Sequence, residues 1–336
     1  MAVFAVIMLL AKRPLHSEGQ NAKPETATER YLILTAGKFK ALQQGLDDAA
    51  NAGFRVISGN AGLKILALEK DPSGKKHEYL VTGSLDSMVK KGKVAGYRVL
   101  PFTFAGGDIL EIGAVLEKLS LGEAQPEYKV LDTVRTSTLF KEMNQWAEKG
   151  FSLVALSAAS GNYGLMEKAA GSPASGPADR YVLLATKLTG TMKTELADAV
   201  ASGHRLAVVA EAGNEMIVAL EKRAPGEAAP DYRLITTTFT GKFEAEINAA
   251  VGEGYRLLPW GLCAQDRTSM LGNTHEVVAF MEKRPNLLPI QHKILATKRV
   301  STLRKELAEA VAAGWSLSRL FLTFDEQMIM LEKPSP

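Results

Sequence analysis

The chain has 336 residues, is 46% hydrophobic and 23% charged, and carries a formal net charge of +3 at pH 7. These values are ordinary for a folded globular protein, and near-neutrality argues against a dedicated nucleic-acid binder, whose affinity would rest on clustered Lys and Arg. The single cysteine, Cys263, excludes an internal disulfide framework, fits either a reducing compartment or a periplasm, and reads as a small buried hydrophobe.

The first residues, MAVFAVIMLLA, resemble a signal-peptide core, yet no basic stretch precedes them and Lys12, Arg13 and Pro14 follow where a small-residue cleavage site belongs. A stretch of about 11 apolar residues cannot span a bilayer, which needs about 20. Residues 5–14, AVIMLLAKRP, instead match residues 277–285, VVAFMEKRP. Residues 1–14 are therefore expected to be the orphan third strand of an incomplete unit. The cytoplasmic side of a membrane is the expected location, or a periplasm if the true start lies upstream.

Six copies of one pattern follow. Each opens on a ring: Tyr31, Tyr79, Tyr128, Tyr181, Tyr232 or His292. Each then carries Gly and a second ring or its surrogate: Gly53-Phe54, Gly96-Tyr97, Gly150-Phe151, Gly203-His204, Gly254-Tyr255 and Gly314-Trp315. Opening ring and glycine lie 22 residues apart in five copies and 17 in the second. Every copy closes on Glu-Lys, at Glu69, Glu117, Glu167, Glu221, Glu282 and Glu332.

The opening run is short and rich in β-formers, as in residues 232–236, and reads as a strand. A helix follows, with apolar residues such as Leu303, Leu307, Ala310 and Val311 on one face. The glycine falls where a helix ends at φ > 0, the ring after it starts a second strand, and a turn containing Gly59-Asn60, Gly161-Asn162 or Gly213-Asn214 leads to a third. The expected fold is α+β: six tandem β-α-β-β units with antiparallel three-stranded sheets, each with one helix on one face. Expected boundaries are 31–72, 77–120, 126–170, 179–225, 230–285 and 290–334, joined by linkers rich in Pro, Gly, Ala and Ser. Residues 181–185, Tyr-Val-Leu-Leu-Ala, are apolar at both parities, so the face opposite the helix should also be buried. Neighbouring units are expected to pack sheet against sheet or to share one continuous sheet.

The pattern resembles a family of small bacterial proteins, domain of unknown function 4177. The likeness rests on Lys293-Ile294-Leu295, Leu303 to Val311, Gly314-Trp315-Ser316-Leu317 and Met330-Leu331-Glu332-Lys333, and on Tyr128-Lys129-Val130-Leu131 with Gly150-Phe151 in the third copy. The resemblance implies a β-α-β-β fold and a bacterial origin, and brings no catalytic residues with it.

The five histidines, His16, His77, His204, His275 and His292, show no metal-ligand spacing, and no nucleophile elbow or phosphate loop appears. His204 and His292 occupy ring positions and read as packing surrogates. Adjacent Glu and Lys of the closing strand point to opposite faces and so do not converge on one substrate. Arg55, Arg98, Arg205 and Arg256 follow the second ring, but Ser152 and Ser316 break that series, which weighs against base stacking.

The fifth copy departs from the others. Its glycine and Glu-Lys lie 28 residues apart, against 16 to 21 elsewhere. The excess reads as a long hairpin loop over residues 261–274 and is the candidate interaction loop, with Cys263, Gln265, Asp266, Arg267, Met270 and Leu271. No catalytic, cofactor-binding or metal site is expected. The expectation is a non-catalytic scaffold or accessory structural subunit docking through protein contacts on a larger bacterial assembly, with possible peripheral membrane association if the host is a membrane-bound energy-converting complex. The alternative is a small-ligand or peptide-binding repeat protein that uses grooves or edges between sheets.

Overall fold

The computed structural model describes residues 30–106, 111–158, 161–210, 212–213, 215–269, 272–284, 286–323 and 326–335, with the side chains of 212 and 266–275 left out. The orphan strand expected over residues 1–14 lies outside the described residues. The rest is an α+β array of six β-α-β-β units.

Unit one comprises β1 (Tyr31–Thr35), α1 (Phe39–Asn51), β2 (Phe54–Asn60) and β3 (Ile65–Lys70). Unit two has β4 (Tyr79–Thr82), α2 (Leu85–Lys90), β5 (Tyr97–Val99), a 3-10 turn (Pro101–Thr103), β6 (Ala105–Gly106) and β7 (Ile112–Lys118). Unit three has β8 (Glu127–Thr133), α3 (Thr136–Ala147), β9 (Ser152–Ser157) and β10 (Asn162–Lys168). Unit four has β11 (Tyr181–Thr186), α4 (Thr189–Ala201), β12 (His204–Val209), β13 (Ala212–Gly213) and β14 (Met216–Lys222). Unit five has β15 (Tyr232–Thr237), α5 (Thr240–Gly252), β16 (Tyr255–Ser269) and β17 (Gly272–Lys283). Unit six has β18 (Ile290–Thr297), α6 (Val300–Ala312), β19 (Ser316–Leu322) and β20 (Gln327–Pro334). The short 17-residue spacing of unit two corresponds to a helix of only six residues.

In every unit the third strand is central and antiparallel to both others, as in the order β1-β3-β2. The first strand is therefore an edge, as is the second in every unit but the fifth, where β13 lies alongside β16, and the helix bridges the two. The expected glycines have φ of +80° to +91° at Gly53, Gly96, Gly150, Gly203, Gly254 and Gly314, and the helix runs up to that glycine in every unit but the second, where α2 stops at Lys90 and a run of turns leads to Gly96. A threonine closing the first strand starts the helix. Thr82, Thr186, Thr237 and Thr297 each accept, through Oγ1, the N–H two residues on, at 3.0–3.2 Å.

The helix stripe packs two ways. Leu42, Leu46, Ala49 and Ala50 of α1 bury against their own Phe54, Leu66 and Leu68, and also against Tyr79, Val81 and Val115 of unit two. The same step recurs from unit two to three, three to four, four to five and five to six. It then continues from unit six to unit one: Leu303, Leu307 and Ala310 of α6 pack on Tyr31, Ile33, Ile65 and Ala67. The six units thus form a closed ring. At about 1.5–3 kcal/mol per large buried side chain, each stripe stabilises a junction of two units, not one unit alone.

Closure corrects the expected packing mode. The free face of each sheet is covered by the helix of the preceding unit, not by a facing sheet, and among the described residues a sheet is shared between units only where β13 of unit four pairs in parallel with β16 of unit five. Besides that pair and a bridge between Ala158 and Gly213, sheets meet where second strands of successive units converge, as β19 does with β2, β12 with β9, and β12 with β16. These strands form the inner wall. At the seam, Ser58 Oγ donates to Leu320 O at 3.1 Å and accepts Leu320 N–H at 3.0 Å, across 262 residues of sequence.

Candidate functional site

The recurrent polar residues serve the ring itself. The Glu of each third strand lies beside the opening ring of its first strand, in the pairs Tyr31–Glu69, Tyr79–Glu117, Tyr128–Glu167, Tyr181–Glu221, Tyr232–Glu282 and His292–Glu332. On its other side it meets Arg55, Arg98, Arg205 or Arg256 in register. Arg55–Glu69, Arg98–Glu117 and Arg205–Glu221 are ion pairs at 3.0, 2.5 and 2.7 Å. Burial raises the Glu69 and Glu117 carboxyls, but hydrogen bonds from Arg55 and Arg30, and from Arg98 and His77, outweigh it and hold both below the usual range.

The tyrosine hydroxyls tie each unit to the one before. Tyr79, Tyr128, Tyr181 and Tyr232 accept the N–H of Val56, Val99, Leu153 and Leu206 at 2.8–3.1 Å. Tyr31 makes the equivalent approach to Leu317, closing the series across the seam. Burial pushes the Tyr79 and Tyr232 phenols up to about 12. Only the junction of units five and six lacks this contact. There His292 is 3% exposed, and neither ring nitrogen has a hydrogen-bond partner. Burial lowers its pKa, against the attraction of Glu332.

The ring axis is filled. Phe102 of unit two and Trp260 of unit five stack with centroids 6.3 Å apart and planes 13° apart. These units stand three steps apart in either direction, so the pair meets across the centre. Arg319 of unit six lies over Trp260 at 5.4 Å and donates to Pro259 O. A cleft of about 500 Å³ opens beside the stack, lined by Arg205, Tyr232, Pro259, Trp260, Glu282 and Arg284 among others.

The candidate loop of unit five is not a loop. Strands β16 and β17 stay paired from Leu262–Ala279 to Ser269–Gly272, and the remaining extra residues form a wide bulge between Leu257 and Leu262. Cys263 and Gln265 lie on the paired stretch and are buried. Burial, with Glu276 nearby, pushes the Cys263 thiol up to about 12. Gln265 Nε2 and Thr189 Oγ1 both donate to Glu276 Oε2. Asp266 and Arg267 continue β16, with side chains outside the described residues, as are Met270 and Leu271. The structure thus brings Cys263 and Gln265 into the core between units four and five.

Two features escaped the reading of the sequence. His77 sits between Asp71 and Glu117, 2.7 Å from each carboxylate, and stacks on Tyr79. Such a group could relay a proton, and here it fastens the first linker to unit two. Units two and five, and units three and six, also share local motifs across three steps of the ring. Tyr97-Arg98-Val99-Leu100-Pro101-Phe102 parallels Tyr255-Arg256-Leu257-Leu258-Pro259-Trp260, and Ser137-Thr138-Leu139 parallels Ser301-Thr302-Leu303. Comparing copies at that spacing points to the aromatic pair on the axis.

One face of the ring carries the first-strand ends, the helix starts and the second-to-third-strand turns, as the Ala36 N–H to Lys64 O bond shows for unit one. Leu188 (61%) and Phe239 (71%) stand exposed on this face immediately before α4 and α5, and Val134 (93%) stands one position earlier relative to α3. Among the described residues no group of His, Cys, Asp and Glu is placed to hold a metal ion. No protein-family model matches the chain, and no curated protein matches it.

Proposed function

We propose that the protein is a non-catalytic ring scaffold, an accessory subunit that docks on a larger bacterial protein assembly through the face where its helices begin. The observation carrying this reading is the exposure of Val134, Leu188 and Phe239 in three successive units. Large apolar side chains gathered on one face mark interaction surfaces. The remaining recurrent residues hold the ring closed, which is what a rigid platform requires. The bacterial host rests on the family resemblance of the repeat. The test is native fractionation of source-cell extract with the wild type and with Val134→Ser/Leu188→Ser/Phe239→Ser. The wild type should run with a high-mass complex and the triple variant at its own 36.2 kDa. A wild type that runs alone contradicts the proposal. The cleft beside Trp260 favours the second reading, a small-ligand or peptide site.

A further inference from the structure

The first strand of each unit is an outer edge, and an unpaired edge is a template for an added strand. At four junctions the preceding helix blocks that edge with a side chain. Gln43 of α1 donates to Tyr79 O and accepts Val81 N–H at 2.9 and 2.7 Å. Asn144 of α3 bonds both backbone groups of Tyr181 at 3.1 and 2.9 Å. Asn248 of α5 does the same for His292 at 2.8 Å each, with Glu244 on Ile294 N–H. Arg304 of α6 donates to Ile33 O at 2.8 Å.

The edge of β15 is different. The residues of α4 that follow Met192 and Leu196, matching Gln43 and Asn144, are Lys193 and Ala197, and both are exposed. Alanine has no polar group to offer, and the outer backbone groups of β15 belong to Tyr232, Leu234 and Thr236. Both walls of this groove end in exposed apolar residues: Leu188 before α4 and Phe239 just after β15. Exposed Lys187 and Lys193 line the α4 side without an ion-pair partner among the described residues. Among the described residues strand β8 also lacks such a block, because α2 is one short helix, and Val134 is the exposed apolar residue that follows it.

We infer that the outer edge of β15 takes up an extended segment of a partner protein as an added antiparallel or parallel strand. The segment's backbone pairs with Leu234 and its neighbours, an apolar residue sits between Leu188 and Phe239, and acidic residues face Lys187 and Lys193. This rests on the scaffold reading and specifies how the docking is made.

The test uses the full chain in source cells, with p-benzoylphenylalanine replacing Phe239 as photoprobe. The edge is then filled by Lys193→Gln with Ala197→Asn, which copies the block seen at the other junctions. Expected is one cross-linked partner segment, mapped by mass spectrometry, whose yield falls at least about tenfold in the edge-filled variant. A parallel probe at Phe140, on α3 beside a blocked edge, should not capture that segment. The edge-filled protein must melt no lower than the wild type, since it adds hydrogen bonds without removing any. Cross-linking that survives edge filling overturns strand addition. So does absence of a cross-link while the protein still runs with a large complex; this outcome leaves the scaffold reading standing. A protein that runs alone removes both.

Discussion

The seam between units six and one is the place where ring closure can be weighed in free energy. Ser58 is 4% exposed and Leu320 is 1% exposed, so the two hydrogen bonds between them are made out of water. Ser58→Ala keeps the backbone and removes one atom, leaving both Leu320 N–H and C=O without that partner. Each such bond contributes about 1 kcal/mol net, and a stranded buried group costs about 1–3 kcal/mol. The expected loss is about 2–4 kcal/mol in equilibrium urea denaturation, with little change in the slope against denaturant. Ser301→Ala, on the exposed side of α6, is the control and should change stability by less than about 0.5 kcal/mol. Amide exchange at Leu320 should quicken in the Ser58 variant. If Ser58→Ala behaves like the control, Leu320 already meets water and the seam is open.

Tyr79→Phe should cost about 1–3 kcal/mol by stranding Val56 N–H, whereas Tyr97→Phe, whose hydroxyl donates to the exposed Glu78, should be nearly neutral by the same denaturation assay. Gly203→Val should cost more than about 1 kcal/mol from its φ of +91° alone, because no atom lies within 4 Å of the added Cβ; a loss below that in thermal melts removes the helix-end assignment. His292 has a folded pKa below its ordinary value of 6.5, so the unfolded chain binds the proton more readily and stability must fall as pH drops below about 6.5. Urea midpoints between pH 7.5 and 5.5 should show that slope, and His292→Gln should flatten it. Glu69 and Glu117 have lowered pKa values, so their contribution is present above their ordinary 4.5 and is lost as pH falls through the folded values. Arg55→Met should reduce the acid sensitivity below about pH 4.5.

The unit was legible because its markers are local. The helix stripe, the terminal glycine and the turn residues act within a few positions of themselves and recur along the chain. Ring closure was not legible, because the face that covers a sheet belongs to a residue stripe already explained by its own unit. Leu42 and Leu46 look the same whether they serve one sheet or two. The double parity of residues 181–185 did signal burial on both sides, but not whether a sheet or a helix supplied it. The fifth unit misled for a related reason: length alone does not distinguish a loop from a paired ribbon, although Thr268 and Asn273 meet across β16 and β17. The blocking residues Gln43, Asn144 and Asn248 gave no signal, since a polar residue on a helix usually faces solvent.

Closure itself is tested most directly by a distance between the two ends of the array. Spin labels at Arg55→Cys on β2 and Ser318→Cys on β19 sit on exposed positions of strands that meet at the seam, and the native Cys263 is buried. The ring predicts one narrow distribution on the order of 20 Å, set by strands in contact plus label length. An open arc of six units, each at least about 10 Å thick, would instead give a broad distribution beyond about 40 Å and contradict the account.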